Sequence, residues 1–172
     1  MIRTERLSIR RIQSADWKAL QSIWTDAALS FYAQFDVPME LDNRSVSRRV
    51  KRWASYSKSN THMFFAVCFA NVLIGYICVN KYEDDYEIGY CFHSDYHRKG
   101  FAKESISGLI PYLRQQKISH LTAGTALENT PSINLLRSLG FRQIGTEKVS
   151  FYKDDDGNDI WFDGGIFELQ LA

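Results

Sequence analysis

A mixed, mostly antiparallel α/β sheet of about seven strands with helices on both faces is the fold this sequence predicts, and three observations predict it. Short β-branched and aromatic runs recur along the 172 residues. Two amphipathic helical stretches come before a meander of such runs, and the second half of the chain alternates strand with helix. A hydrophobic content of 45% is enough for one sizeable core, and residues 1–172 read as a single domain without repeat, linker or low-complexity segment.

The elements follow in order. Arg6 to Ile12 alternates apolar and polar residues, which puts Leu7 and Ile9 on one face of a first strand. From a cap at Ser14 or Asp16, Trp17, Leu20, Ile23 and Trp24 recur at helical spacing. Phe31 to Met39 has aromatics and a proline without period, and reads as a loop or broken helix. Asp42 to Ser59 carries Val46, Val50, Trp53 and Tyr56 at helical intervals; its Arg44, Arg48, Arg49, Lys51 and Arg52 form a solvated face or steer substrate. His62 to Phe69 and Val72 to Lys81 form a hairpin about Ala70-Asn71, and Tyr86 to Phe92 is a further strand. Phe101 to Gln116 is a helix that should bend or break near Pro111, where a backbone donor is missing. Ser119 to Thr125 is a strand, Thr130 to Leu139 a helix stopped by Gly140, and two last strands, Phe141 to Lys153 and Asp159 to Leu171, flank a turn at Asp154 to Asn158.

Composition narrows the function. Twenty-one basic residues against 20 acidic ones give a net charge of +1, which argues against a nucleic-acid surface or an acidic tail. The segment Met1-Ile-Arg-Thr-Glu-Arg6 lacks the apolar run of a signal peptide, and no stretch approaches the roughly 20 apolar residues that span a bilayer, so the reading is a soluble, cytoplasmic protein without a membrane partner. Cys68, Cys78 and Cys91 lie inside apolar runs at spacings that match no zinc or redox motif, and read as buried structural thiols. His62, His93 and His120 share no motif, so no metal is assigned. Asp154, Asp156 and Asp163 echo a calcium loop only in part, since Tyr152 occupies the first ligand position, and a turn is the simpler account.

The chemistry concentrates in the run Tyr86-Glu-Ile-Gly-Tyr-Cys-Phe-His-Ser-Asp-Tyr-His-Arg-Lys-Gly-Phe-Ala-Lys-Glu-Ser105, which reads strand, loop, helix. Amides in a first helical turn lack partners and the helix dipole favours negative charge, so this junction can hold phosphate through backbone alone. Gly100 and Ala102 keep that backbone approachable, and Arg98, Lys99 and Lys103 add positive charge. Neither a P-loop nor a three-glycine dinucleotide fingerprint is present, which leaves a pyrophosphate in another cofactor, or a mere capped turn.

Downstream stands Glu128-Asn-Thr-Pro-Ser-Ile-Asn-Leu-Leu-Arg-Ser-Leu-Gly-Phe141. Together the two stretches resemble the GNAT N-acetyltransferase superfamily: His97-Arg-Lys-Gly-Phe-Ala102 resembles its Gln/Arg-x-x-Gly-x-Gly/Ala signature, and the second stretch its Asn-x-x-Ser helix ending in Leu-Gly-Phe. Glu87-Ile-Gly-Tyr90 and Thr4-Glu-Arg-Leu-Ser-Ile-Arg10 are similar to the ribosomal-protein-alanine N-acetyltransferase branch. The resemblance covers nearly the whole chain. It implies transfer of the acetyl group of acetyl-CoA to a primary amine, foremost a peptide N-terminal α-amine, and a homodimer, which no residue pattern here decides. It also implies that Tyr90, Cys91, Phe92, His97, Arg98, Lys99, Gly100, Phe101, Ala102 and Lys103, with Asn129 and Asn134, contact the cofactor. A backbone amide between Tyr90 and Phe92 would hold the oxyanion, with Gly89 marking a bulge.

Two positions depart from the pattern: His97 fills the Gln/Arg slot, where it would add a pH-sensitive contact, and Leu136 stands where many members carry a tyrosine that protonates the departing thiolate. The resemblance points instead to Ser132 as the acid, although Thr-Pro-Ser is also ordinary capping chemistry. For the base, Glu87 shares a strand face with Gly89 and Cys91 in the middle of a sheet expected to be covered; the alternative is a strand residue paired with a lysine. Asn129 and Asn134 equally suit a cap and a solvated face, and Phe31, Tyr32 and Phe35 fall where the resemblance puts acceptor binding. Polyamine, aminoglycoside or amino-acid acceptors stay open, as do a CoA-binding module without catalysis and an unrelated nucleotide-binding domain.

Overall fold

A computed structural model describes residues 1–171. Its centre is an eight-stranded sheet in the order β1-β2-β3-β4-β5-β6-β8-β7. The strands are β1 (Ile2–Arg3), β2 (Leu7–Arg11), β3 (His62–Phe69), β4 (Val72–Tyr82), β5 (Asp85–Phe92), β6 (His120–Ala126), β7 (Arg142–Lys153) and β8 (Asp159–Gln170). The helices are α1 (Trp17–Ala28), α2 (Asn43–Ser55), α3 (Phe101–Gln115) and α4 (Thr130–Ser138). Strand β1, two residues long, is too short to carry a period, which is why the pattern predicts seven strands.

Alternation divides the buried residues of the strands between two cores. Leu7 and Ile9 of β2 and Met63, Phe65 and Val67 of β3 face α3 and α4, packing on Ile106, Leu109, Leu113 and Leu136. Phe64, Ala66 and Cys68 face the other way, against Leu20, Ile23 and Trp24 of α1 and Val46 and Val50 of α2. Helices therefore cover both faces, as the sequence predicts.

Local signals account for most boundaries. Asp42 caps α2, its Oδ1 accepting from the amides of Arg44 and Ser45, each at 3.0 Å. Ala70 and Asn71 have φ of 46° and 66°, the doubly left-handed turn that joins two twisted strands. Asp154 accepts from the amides of Asp156 and Asn158 and so closes the β7–β8 turn. Two expectations are corrected. Asp16 does not cap α1: its carboxylate accepts from the Gln13 amide and takes a bidentate pair of bonds from Arg10 at 2.7 and 2.8 Å. Pro111 does not break α3, which continues as helix through it to Gln115.

Candidate active site

Strands β4 and β5 are paired continuously from Gly75↔Phe92 to Tyr82↔Asp85. Strand β6 is likewise paired with β8 along its whole length, from His120↔Gln170 to Ala126↔Gly164. Between β5 and β6, the one parallel joint of the sheet, a single registered pair exists, Glu87↔Thr122. Past that pair each strand keeps its outer partner and not its inner one, so their facing edges are open.

Alternation identifies which backbone groups line this opening. The His93 amide donates to the Ile74 carbonyl of β4, so along β5 the groups of Cys91 and Gly89 also turn to β4, while those of Tyr90 and Phe92 turn to β6. The Phe92 carbonyl is occupied, because His97 Nε2 donates to it at 2.8 Å. A carbonyl can only accept, so that nitrogen carries the proton. His97 thus ties the end of β5 to the loop before α3, a use that its place in the motif does not reveal.

That loop is built to present amides. Arg98 and Gly100 both have positive φ, 57° and 79°, and no side chain caps α3. Gly100 matters for its backbone: φ of 79° is strained for any residue with a Cβ. The buried ring of Phe101 belongs to the core, so only its amide faces the loop. Arg98 and Lys103 are exposed and pair with no carboxylate among the described residues, whereas Lys99 bends back onto the Asp95 carbonyl at 2.7 Å. Free amides, left-handed backbone and unpaired cations at the mouth of an open strand joint suit a pyrophosphate attached to a chain that enters between β5 and β6.

Glu104, in the first turn of α3, receives the Thr4 hydroxyl at 2.6 Å, the Arg6 amide at 2.8 Å and Arg6 Nε at 2.7 Å. Burial opposes its charge, but these hydrogen bonds outweigh it and hold the carboxyl below the usual glutamate range. The Arg6 guanidinium also lies over the Phe101 ring, 4.5 Å from its centroid. Sequence reading used Thr4 and Arg6 only as a likeness and missed Glu104; the pairing joins residues about a hundred positions apart, which no local pattern discloses. Across the same loop, Asp26 of α1 accepts from the amide and hydroxyl of Ser94, both at 2.7 Å.

On the α4 side, Tyr90 Oη and Ser132 Oγ are 2.9 Å apart. Burial raises the Tyr90 phenol, with the Ser132 bond acting in the opposite direction. Asn129 caps α4, its Oδ1 accepting from the Ser132 amide at 3.2 Å, and Asn134 is exposed on the helix. Leu136 is 1% exposed and packed in the core, so no acid acts from that position.

The opposite face of β5 carries Glu87, Gly89 and Cys91. Contrary to expectation, Glu87 is exposed, because α1 and α2 cover this face only as far as Cys78 and Cys91. Its carboxylate pairs with no lysine or arginine among the described residues. Although the residue as a whole reaches solvent, partial desolvation of its carboxyl and then the charge of Glu147 raise it above the ordinary glutamate value. Gly89 marks no bulge, since the β4–β5 register is unbroken; a Cβ there would come within 2.9 Å of Cys78 Sγ. Burial pushes the Cys78 and Cys91 thiols up to about 11 and about 12, which makes them inert floor rather than nucleophiles.

The 3-10 turn Phe31–Phe35 overhangs this floor and meets the β7–β8 hairpin: Phe35 packs on Phe162 at 5.3 Å, and Tyr152 Oη donates to the Ala33 carbonyl at 3.3 Å. Asp36 follows the turn, and burial raises its carboxyl. The Phe31 to Phe35 segment thus meets the β7–β8 hairpin, with Asp36 near Cys91 and Glu147 near Glu87, two carboxylates that sequence reading missed.

An opened parallel joint beside an uncapped, glycine-led helix defines a CoA-dependent acyltransferase fold. Residues 6–142 match the model of the acetyltransferase (GNAT) domain, and the chain belongs to that family, whose members move an acetyl group from acetyl-CoA to an amine. It is 30% identical over 165 residues to the N-acetyltransferase YnaD of Bacillus subtilis, covering 93% of this chain and 91% of that one. A GNAT-family acetyltransferase structure from Bacillus anthracis matches with 26% identity and a TM-score of 0.78, over 99% of this chain and 98% of that chain. The ribosomal-protein-S5-alanine acetyltransferase of Vibrio fischeri shares the fold, with a TM-score of 0.81 at 19% identity over 99% and 96%. No described helix is long and apolar enough to cross a membrane.

Proposed function

We propose that this enzyme acetylates a peptide N-terminal α-amine. One observation carries the reading: Glu87, a carboxylate without a cation partner among the described residues, lies on the strand whose inner edge opens toward β6. An amine attacks only when neutral, and an α-amine has a pKa of about 8, so a nearby base is required. Glu87, with its raised pKa and no counter-ion, is that base, directly or through water. Bound acetyl-CoA supplies a thioester carbonyl open to attack. The amides of Gly100, Phe101, Ala102 and Lys103 hold its pyrophosphate, with Arg98 and Lys99 near it and His97 bracing the loop. The freed amides of Tyr90 and Phe92 meet the pantetheine chain and the developing oxyanion, while Cys91 forms the floor. Asn129 and Asn134 line the α4 side, and Ser132, backed by Tyr90, donates a proton to the departing sulfur. The S5-alanine acetyltransferase of Vibrio fischeri, whose name states a protein substrate, supports the choice of acceptor.

A second acceptor class is favoured by the acidic surroundings: Asp36 and Glu147 join Glu87 without cationic partners among the described residues, a setting that also suits a polyamine. Thiol release from acetyl-CoA, measured against peptides, polyamines and aminoglycosides for the native enzyme and Glu87→Gln, separates the readings. Peptide turnover that falls in the variant while acetyl-CoA still binds is the expected result. Binding without thiol release from any acceptor would overturn catalysis.

A further inference from the structure

Helix α2 carries a charge pattern that the reaction scheme above leaves unused. Residues 43–61 hold six of the 21 basic residues, Arg44, Arg48, Arg49, Lys51, Arg52 and Lys58, and none of the 20 acidic ones. The rest of the chain, with 15 basic residues against 20 acidic ones, is net −5. Val46 and Val50 turn to the core, while Arg44, Arg48, Lys51 and Arg52 are exposed on the opposite side of the helix, where helical spacing makes them one stripe. None of these four cations pairs with a carboxylate among the described residues. Helix stability does not account for the stripe. Arg44 stands in the first turn, at the positive end of the helix dipole, and only Arg52 in the last turn gains from the negative end. Arg44 with Arg48, and Arg48 with Arg52, are like charges four residues apart, which destabilise a helix. A solvated face needs no particular sign of charge, whereas four cations held together fit an anion that spans them.

The surroundings of the stripe indicate which anion. It exposes no aromatic or large apolar side chain that could stack on bases or enter a lipid surface, since Trp53 and Tyr56 pack on the core. The negative balance of the remaining chain also repels an extended polyanion such as nucleic acid. A short acidic polypeptide segment meets neither objection, and the rise from Arg44 to Arg52, about 12 Å, matches about four residues of extended chain. The stripe is also close to the proposed base. Tyr56, at the C-terminal end of α2, packs on His62 with ring centroids 5.1 Å apart. His62 Nδ1 is 3.1 Å from Asn80 Oδ1, and Asn80 is the registered neighbour of Glu87, so this end of α2 stands two strands from Glu87.

We propose that the exposed face of α2 is an exosite for an acidic stretch of the acceptor polypeptide, downstream of the N-terminal residue that reacts. This rests on the acetyl-transfer reading above and names the substrate class within it. The stripe faces away from the sheet, so it meets the body of the substrate and not the reacting amine. The amine goes to the carboxylates and the acidic stretch to the arginines, while a polyamine is repelled by α2.

The test compares two peptides with the same neutral N-terminal residues, one continued by a run of glutamates and the other by glutamines. The proteins are the native enzyme, the triple variant Arg44→Gln, Arg48→Gln, Arg52→Gln, and the same three positions changed to lysine. At low salt, kcat/KM for the glutamate peptide should exceed that for the glutamine peptide about tenfold, through KM with kcat alike, and the advantage should fade as ionic strength rises. The glutamine variant abolishes the advantage while leaving the glutamine peptide and KM for acetyl-CoA unchanged. The lysine variant keeps most of it, because the stripe acts through charge more than through the planar fork. Equal kcat/KM for the two peptides, an advantage that survives the glutamine variant, or equal losses for both peptides would overturn the proposal. So would tighter binding of an RNA oligonucleotide or of phosphatidylserine vesicles than of the glutamate peptide. Should the triple variants fold poorly, the salt dependence of the native enzyme decides alone. If no acceptor is turned over, the acetyl-transfer reading fails by itself, and fluorescence anisotropy of the labelled glutamate peptide on the acetyl-CoA-loaded protein judges the exosite. Binding lost in the glutamine variant supports it, and binding that is absent or undiminished refutes it.

Discussion

Replacing Glu104 with alanine tests how the N-terminal end of α3 is held. The carboxylate receives the Thr4 hydroxyl, the Arg6 amide and the Arg6 guanidinium, all within 2.8 Å, and its side chain is 16% exposed against 41% for Arg6. The half-open ion pair contributes at most about 1 kcal/mol. The two bonds from Thr4 and the Arg6 amide, each charge-assisted but competing with water, contribute about 1 kcal/mol apiece. A loss of about 2–3 kcal/mol lowers the melting temperature of a chain this size by about 4–12 °C. The sign with pH follows from the lowered pKa. The stabilisation is complete above the unfolded glutamate value of about 4.3 and disappears as pH falls through the lower folded value. Thermal unfolding followed by circular dichroism should therefore separate native and variant proteins near neutral pH and bring them together once pH falls below the lowered folded value. With β1–β2 released from α3, acetyl-CoA affinity should also fall. A melting shift under about 2 °C at neutral pH, or one of equal size in acid, would refute the reasoning.

Other perturbations address other parts. Glu87→Gln should lower kcat by about a hundredfold or more. In the native enzyme, the acid limb of kcat/KM should sit above the ordinary glutamate range, since the base works only when ionised and its pKa is raised. The same variant should melt no lower at neutral pH, because a raised carboxyl costs stability once it ionises. Gly100→Ala forces a Cβ into φ of 79°, at a cost of about 1–2 kcal/mol, and should raise KM for acetyl-CoA more than it lowers kcat. Leu136→Ala should destabilise the fold by about 2–5 kcal/mol in denaturant titration while leaving the pH profile of kcat unaltered, since a buried leucine is packing and not an acid.

Periodicity and turn chemistry disclosed the elements because each is a local matter: Trp17, Leu20 and Trp24 on one helix, Ala70-Asn71 between two strands, Asp42 before α2. The proposed phosphate loop is a local pattern for the same reason, since Arg98 to Lys103 are consecutive. What stayed hidden depends on contacts across the chain. Asp16 looks like a cap until Arg10 claims it, Glu87 seems covered until the extent of α1 and α2 is known, and Arg49 is one arginine in a basic helix until Trp24 is found beneath it. Pro111 ends no helix because a proline can remain within one whose flanking residues, Leu109 and Leu113, are fixed in the core.

The lone Glu87↔Thr122 pair has a mechanical meaning as well. It is the hinge line of two antiparallel half-sheets, β1 to β5 and β6 with β8 and β7, so a ligand seated there stands in for the missing rungs and couples halves that otherwise share a core but only one rung. Cofactor would then act as a rivet: amide exchange at Tyr90 and Phe92 slows on loading, and the two halves unfold as one cooperative unit rather than loosening first along their seam.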